Sequence, residues 1–435
     1  MRSPPPPAPP ASRPQLPPPA PTRPSLYQST TPSLWRAPVA RPSPGHVEQH
    51  RQPLPRRTPG LVNLGQTCYL NSVLQMLFSL PGFVGDVHGA ASRFEVQLPD
   101  GSVLAALHRC FSAMAACPPG PLRAAPEDVH RALSNAPDGA KFRSLYRQQD
   151  AHDVLLHLLD RIAAEVAACE GGSSTSIQAT WCPTRRSFSA ATPAVLQCAG
   201  CAATSVVPEC MRALSLELLP GDEPVGVTQK LADAFASEAG LERRCEACGH
   251  TRATHSRNLT ALPAVLVLHI KRFTAMATST GPMLRKVLRP VRADVQLDVA
   301  GLCAPHVRGP PLQAPQPDAE PDGLLSLDAS SCDSQSQPGG GRENADTEYR
   351  LQAVVHHLGG SLASGHYTAD AWGPEPAPGG AWLRYNDDQV SRISQGHALG
   401  MEREAYLLVY TLKRAGQAAR AAASPAGAVL RERNE

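Results

Sequence analysis

Two cysteine pairs, Cys198-Ala-Gly-Cys201 and Cys245-Glu-Ala-Cys248, restrict what this chain can fold into more than any other feature. Two thiolates three residues apart on a turn can share one tetrahedral ion, and two such knuckles complete a four-cysteine site. A fold that uses them must bring together two hairpins that are distant in sequence. The gap between the pairs is longer than in small zinc fingers, and disulfides or chance clustering are the rival readings. The chain opens MRSPPPPAPP, without the apolar run of a signal peptide, and no apolar stretch is long enough to span a membrane. A cytoplasmic or nuclear location without a membrane partner is therefore expected. In that reducing setting the 12 cysteines are thiols, metal ligands or a catalytic group. The ion read from the pairs is a structural zinc, because four protein ligands leave no open position for chemistry.

Proline is the compositional outlier, with 45 residues in 435, about twice average usage. It crowds into residues 1–58, which cannot supply a core and favour extended polyproline II. This stretch is expected to be a disordered tail, and its P-x-x-P matches make a proline-reading domain a candidate partner. The net charge of +3, from 41 basic and 38 acidic residues, is too balanced for a nucleic-acid protein. A zinc-ribbon nucleic-acid binder is thereby disfavoured.

Order is expected from Pro59. Val73, Leu74, Leu77 and Phe78 predict a helix over 68–80, ended by Pro81-Gly82. A second helix is expected over about 151–166, with Val154, Leu155, Leu158, Leu159 and Ile162 on one face. Then the pattern turns to strands: 264–273, EYRLQAVVHHL, HYTADAW, WLRYND and AYLLVYTL. Residues 304–345, rich in Pro, Gly, Ser and Asp, are expected to form a disordered insertion within one domain, 59–412. The Ala- and Arg-rich segment 413–435 is expected to be a flexible tail.

Cys68 lies in GLVNLGQTCYLNS (60–72), at the expected start of the first helix. A helix N-terminus carries partial positive charge and stabilises a thiolate. Gly65 permits a tight turn before it, and Asn63 offers an amide donor to a tetrahedral oxyanion. A buried cysteine at the start of an ordinary helix explains the same local sequence.

As a whole, GLVNLGQTCYLNS resembles the Cys box of the ubiquitin-specific proteases, usually GLxNLGNTCYxNS, with Gln66 replacing the commoner Asn. The resemblance implies that Cys68 is the nucleophile and Asn63 the oxyanion-hole donor. SGHYTADAW (364–372) resembles the family's His box, usually GGHYxAY, and implies that His366 is the general base. Gly365, lacking a Cβ, would let backbone or substrate approach closely. WLRYNDDQV (382–390) is similar to the next family segment. It points to Asn386 as the residue that holds the imidazole of His366 through its side-chain carbonyl. Asp387 is the rival, or else orients a water or contributes to the oxyanion hole; a plain turn between strands is the bland alternative. YRQQDAHDVLLHLLDRI (146–162) resembles QQDAxEF, with Asp153 where the family usually has Glu. This implies that Asp150 and Asp153 hold the basic tail of ubiquitin, which ends Leu-Arg-Gly-Gly. Asp150 is equally a sensible N-cap with Asp153 three residues on, as in a capping box, and the two roles can coexist.

These boxes occur in the family's order. They imply a papain-like α/β (α+β) fold: a helical thumb carrying Cys68, a β palm carrying His366 and Asn386, and β fingers tipped by a zinc ribbon of Cys198, Cys201, Cys245 and Cys248. The implied activity is that of a thiol-dependent deubiquitinase, cutting the isopeptide bond after the C-terminal glycine of ubiquitin. The implied partner is ubiquitin, or a ubiquitin-like modifier, and its conjugates. The Gly-Gln-Thr-Cys sequence keeps open the family branch that removes the interferon-induced ubiquitin-like modifier. A catalytically weak ubiquitin-binding scaffold is a further alternative, against which the intact Cys68, His366 and Asn386 argue.

Overall fold

A computed structural model describes residues 59–413 except 117, 119, 172–180, 279–280, 310–345, 362–363 and 374–379. The tails 1–58 and 414–435, and most of the insertion, lie outside the described residues. The insertion does not begin at 304: Cys303–Arg308 is a strand beside Leu259–Ala261. Cys303 and Val307 pack on the core there, so the local apolar pattern carries the chain past the expected boundary.

Among the described residues five α-helices come first: α1 (Cys68–Phe78), α2 (Pro81–Arg93), α3 (Val103–Ala115), α4 (Ala124–Asn135) and α5 (Ala151–Cys169). In α1, Val73, Leu74, Met76 and Leu77 are all fully buried, which makes it the central helix of the group. Pro81 does more than end α1. It sits in the first turn of α2, where its missing N–H is no loss. Two of the helices are joined through a buried carboxylate. Glu165 of α5 accepts from Ser102 Oγ at 2.8 Å and from the N–H groups of Val103 and Leu104 at 3.0 Å each. Its negative charge meets the positive end of α3.

The helices pack on an eight-stranded sheet, ordered Gln389–Ile393, Ala381–Asn386, Ser364–Gly373, Glu348–Ser361, Ala405–Leu412, Val265–Lys271 and Leu214–Glu217, with Gln296–Asp298 paired beside Glu348–Ser361. Side-chain alternation sorts each central strand between two cores. Val265, Val267, Val355, Leu407 and Val409 join the helical core. Leu266, Leu268, Val354, Leu408 and Tyr410 join a second core under the helix Val227–Phe235. Burial on both faces explains why 264–273 reads as a continuous apolar run. A separate four-stranded sheet holds Thr204–Val207, Ala194–Cys198, Arg252–Arg257 and Glu238–Glu242 in that order. Helical unit, central sheet and cysteine-bearing sheet form the expected thumb, palm and fingers. No described helix is long and apolar enough to cross a membrane.

Candidate active site

The loop before α1 is held by its own polar side chains. Asn63 Oδ1 accepts from the N–H groups of Gly65 (3.1 Å) and Thr67 (3.0 Å), and Thr67 Oγ1 accepts from the N–H of Leu64 (2.9 Å). Gly65 has φ +148°, and a Cβ there would lie 2.6 Å from the carbonyl oxygen of Leu145. Gln66 donates its backbone N–H to that same carbonyl at 2.7 Å while its side chain is exposed. The Gln-for-Asn departure therefore disturbs no packing. The loop delivers Cys68, 3% exposed, as the first residue of α1, whose first turn contains no acid. The partial positive charge of the helix end thus acts on the sulfur without an opposing carboxylate.

His366 arrives from the palm on the strand Ser364–Gly373. Its Nε2 lies 2.5 Å from Asn386 Oδ1, the last residue of the neighbouring strand. The hydrogen bond to Cys68 is the main reason His366 is pushed up to about 9; it outweighs burial, and Asn386 adds to it. At neutral pH the ring is therefore an imidazolium facing the sulfur.

Asp387 follows in a tight turn with φ +51°, a conformation that Asp tolerates. Its Oδ2 is 4.0 Å from His366 Nε2 but accepts from Asn63 Nδ2 at 2.9 Å, and its Oδ1 accepts from Asn71 Nδ2 at 2.8 Å. Its backbone oxygen takes the N–H of Leu61 at 2.9 Å. Of the two rivals, Asn386 touches the imidazole of His366, and Asp387 fixes the loop that presents Cys68.

Two residues here went unassigned in the sequence. Gln148 points its Nε2 at Cys68 Sγ across 3.7 Å, and Asn71 is the second anchor for Asp387. Both lie inside the motifs already quoted, but spacing alone gives neither a direction. Gly365, expected to let backbone or substrate approach closely, has backbone against it: a Cβ there would meet Leu358 O at 2.5 Å and His357 Nε2 at 2.6 Å. Asp150 caps α5, accepting from the N–H groups of His152 (2.7 Å) and Asp153 (3.3 Å), and Tyr406 OH donates to its other oxygen. Asp153 pairs instead with Lys141 at 2.9 Å and is 54% exposed, so it remains available to a partner. Another histidine–carboxylate pair, His356 and Asp370 at 2.9 Å, is fully buried beside Arg384 and serves the packing of the sheet.

In the fingers, the pairs Cys198–Cys248 and Cys201–Cys245 have Sγ separations of 3.6 and 3.7 Å, and all four sulfurs lie within 4.8 Å of one another. A tetrahedron of Zn–S bonds of about 2.3 Å has edges of about 3.8 Å. The four thiols thus fit such an ion. Each knuckle sits at a hairpin turn, and Gly249, at φ +74°, shapes the second. The backbone N–H groups of Cys201 and Gly200 pull the Cys198 thiol down to about 6, ready to ligate as a thiolate.

The sequence profile described as ubiquitin carboxyl-terminal hydrolase matches residues 59–410. Ubiquitin carboxyl-terminal hydrolase 29 of Mus musculus is 27% identical over 276 residues, which is 60% of this chain and 30% of that protein. Ubiquitin carboxyl-terminal hydrolase 8 of Saccharomyces cerevisiae is 24% identical over 380 residues, 81% of this chain and 70% of that one. Ubiquitin carboxyl-terminal hydrolase 22 of Bos taurus is 24% identical over 382 residues, 81% and 66% respectively. The chain thus spans under a third of the mouse relative and about two thirds of the other two. The solved SAGA Ubp8/Sgf11/Sus1/Sgf73 DUB module bound to ubiquitin aldehyde shares the fold, with a TM-score of 0.61 at 22% identity over 82% of this chain and 70% of that one. One profile spans the loop before Cys68, the cysteine knuckles and the strand of His366, and the chain therefore belongs to the ubiquitin carboxyl-terminal hydrolase family of cysteine deubiquitinases.

Proposed function

We propose that this chain hydrolyses the isopeptide bond after the C-terminal glycine of ubiquitin conjugates, with Cys68 as nucleophile and His366 as acid and base. The observation that carries the reading is the double engagement of His366: Asn386 Oδ1 lies 2.5 Å from its Nε2, and the thiol of Cys68 is its other partner. Such a ring is fixed in orientation and charged at working pH.

The thiolate of Cys68 attacks the glycine carbonyl. The charge on the resulting oxyanion is met by Asn63 Nδ2, which Asp387 holds in place, and by the backbone N–H of Cys68. His366 gives its proton to the leaving lysine amine, and the C–N bond breaks to leave a thioester. The now neutral imidazole takes a proton from water, whose oxygen attacks the thioester, and the thiolate leaves with the modifier released as a carboxylate. Asp153 supplies a negative surface for the arginine of the tail, whereas Asp150 acts chiefly by capping α5. A zinc ion on Cys198, Cys201, Cys245 and Cys248 would cross-link the two finger hairpins, away from these steps.

The reading is tested by labelling with two electrophilic probes, one built on ubiquitin and one on the interferon-induced modifier. Rapid adduct formation on Cys68 with the ubiquitin probe is the expected result. Labelling by the second probe alone would move the activity to that modifier, and labelling by neither would overturn the assignment.

A further inference from the structure

The strand that carries His366 loses its regular support at His366 itself. Glu348–Ser361 pairs with Ser364–Gly373 in register as far as Leu358 opposite His366, then the register breaks before Ser361 meets Ser364. Glycines form that neck. A Cβ on Gly359 would lie 2.9 Å from Gly365 Cα, and one on Gly365 would lie 2.5 Å from Leu358 O. Backbone and the His357 ring lie directly against these glycines, and where the ladder breaks its carbonyls take donors from elsewhere.

Lys286 supplies them. It is the last residue of the strand Gly281–Lys286, which pairs with Phe273–Thr278 as a separate hairpin, and it is 7% exposed. Its Nζ donates to the carbonyls of His357 at 2.5 Å and Gly359 at 2.9 Å, the two residues flanking Leu358. The neighbouring Arg272, fully buried, holds Val287, Arg289, Glu402 and Ala405 through their carbonyls and so fixes the base of the same hairpin. Burying an ammonium is costly. Burial foremost, with Arg272 adding, lowers Lys286 to about 8. An apolar side chain would avoid that cost but would leave both carbonyls without a donor.

We infer that Lys286 is a positioning residue for His366: it clamps the carbonyls on either side of the strand partner of His366 and so sets the distance from the imidazole to Cys68. This rests on the reading of His366 as the base. Displacements of about 1 Å at a reacting group can cost around 100-fold in rate, so the effect belongs in kcat rather than in modifier binding.

The test compares Lys286→Met with Lys286→Arg on a fluorogenic ubiquitin substrate, with thermal midpoints measured alongside. The imidazole of His366 is titrated by NMR of histidine-labelled protein, assigned with His366→Asn. For Lys286→Met the expected result is kcat lower by about 10- to 100-fold with KM within about 3-fold. The His366 inflection should fall from about 9 as the contact with Cys68 loosens. Lys286→Arg, which keeps the donors, should recover most of kcat. A merely structural lysine would lower the thermal midpoint and leave the inflection in place. An unmoved inflection, a kcat within 2-fold of wild type, or a loss confined to KM would each overturn the inference. Should Lys286→Met fail to fold, Lys286→Gln carries the same readouts, its shorter reach predicting a lower kcat and a lower inflection. A wild-type protein that cleaves nothing and takes neither probe would sink the deubiquitinase reading instead, whereas an active wild type with an unimpaired Lys286→Met sinks only this one.

Discussion

Asp387 accepts a hydrogen bond from Asn63 Nδ2 at 2.9 Å, which ties the turn after Asn386 to the loop that presents Cys68. Its second oxygen takes Asn71 at 2.8 Å. One carboxylate therefore joins palm to thumb across the cleft, while its neighbour Asn386 holds the imidazole. The two adjacent residues act on opposite halves of the site.

Their substitutions should separate accordingly. Asn386→Ala should lower kcat by about 10- to 1,000-fold, the scale of one preorganised polar group, with KM and thermal midpoint little changed. Asn386→Asp, which keeps an acceptor oxygen at the same reach, should be tolerated. Asp387→Ala takes from Asn63 Nδ2 its acceptor, at about 1–3 kcal/mol, and leaves Asn71 Nδ2 only its longer bonds to the carbonyls of Leu61 and Val62. It should therefore lower both the thermal midpoint and kcat. Steady-state kinetics and thermal denaturation on both variants check this; a silent Asn386→Ala beside an Asp387→Ala that loses only kcat would exchange the roles.

The charge state of His366 predicts a pH profile. Its value is raised from 6.5 to about 9. Its contribution to stability is thus complete below about 6.5 and disappears as pH rises through about 9. Cleavage should decline over the same alkaline range, as the proton for the leaving amine is lost. Cys68→Ala removes the main cause of the shift, so the histidine inflection should drop in that variant. Full activity well above pH 10, or an inflection unmoved by Cys68→Ala, would contradict the pairing.

The cysteine cluster predicts one zinc per chain. Cys245→Ser should reduce the bound metal and lower the thermal midpoint, because the ion closes two hairpins that are far apart in sequence. Metal analysis of purified protein, with and without chelator, decides it. Unchanged metal content and stability in Cys245→Ser would count against the site.

Asp150 and Asp153 should diverge. Asp150→Ala loses an N-cap, worth about 0.5–2 kcal/mol, together with the bond from Tyr406. It should destabilise the protein. Asp153→Ala breaks only a surface pair with Lys141, worth about 0–1 kcal/mol. It should raise KM for the modifier substrate while stability holds. The opposite pattern in thermal and kinetic measurements would mean that Asp150 is the tail contact.

How much of this was legible in the sequence follows from how local each signal is. The nucleophile loop, the α5 cap and the cysteine knuckles are contiguous segments whose chemistry is written within a few residues. The strand Val265–Lys271, buried on both faces, announces itself as an apolar run. Helices α2, α3 and α4 were harder to see. In α2 only Phe83, Val87, Ala90 and Ala91 are buried, and small residues interrupt the apolar period. Contacts made across the fold left no local trace. The turn at Asn386-Asp387 reads the same whichever residue meets His366, and nothing around Lys286 hints that its ammonium ends on the histidine hairpin. The strand Cys303–Arg308 was masked by the Pro- and Gly-rich composition that follows it.

During turnover Cys68 should carry the modifier as a thioester. Acid quenching of the enzyme within the first turnover on a ubiquitin substrate, followed by intact-mass and peptide analysis, measures this directly. The expected result is an adduct equal to the modifier less one water, located on Cys68 and absent from Cys68→Ala, which should still bind the modifier but cleave nothing. Sustained cleavage by Cys68→Ala, or turnover by the wild type with no adduct on Cys68, would contradict the account.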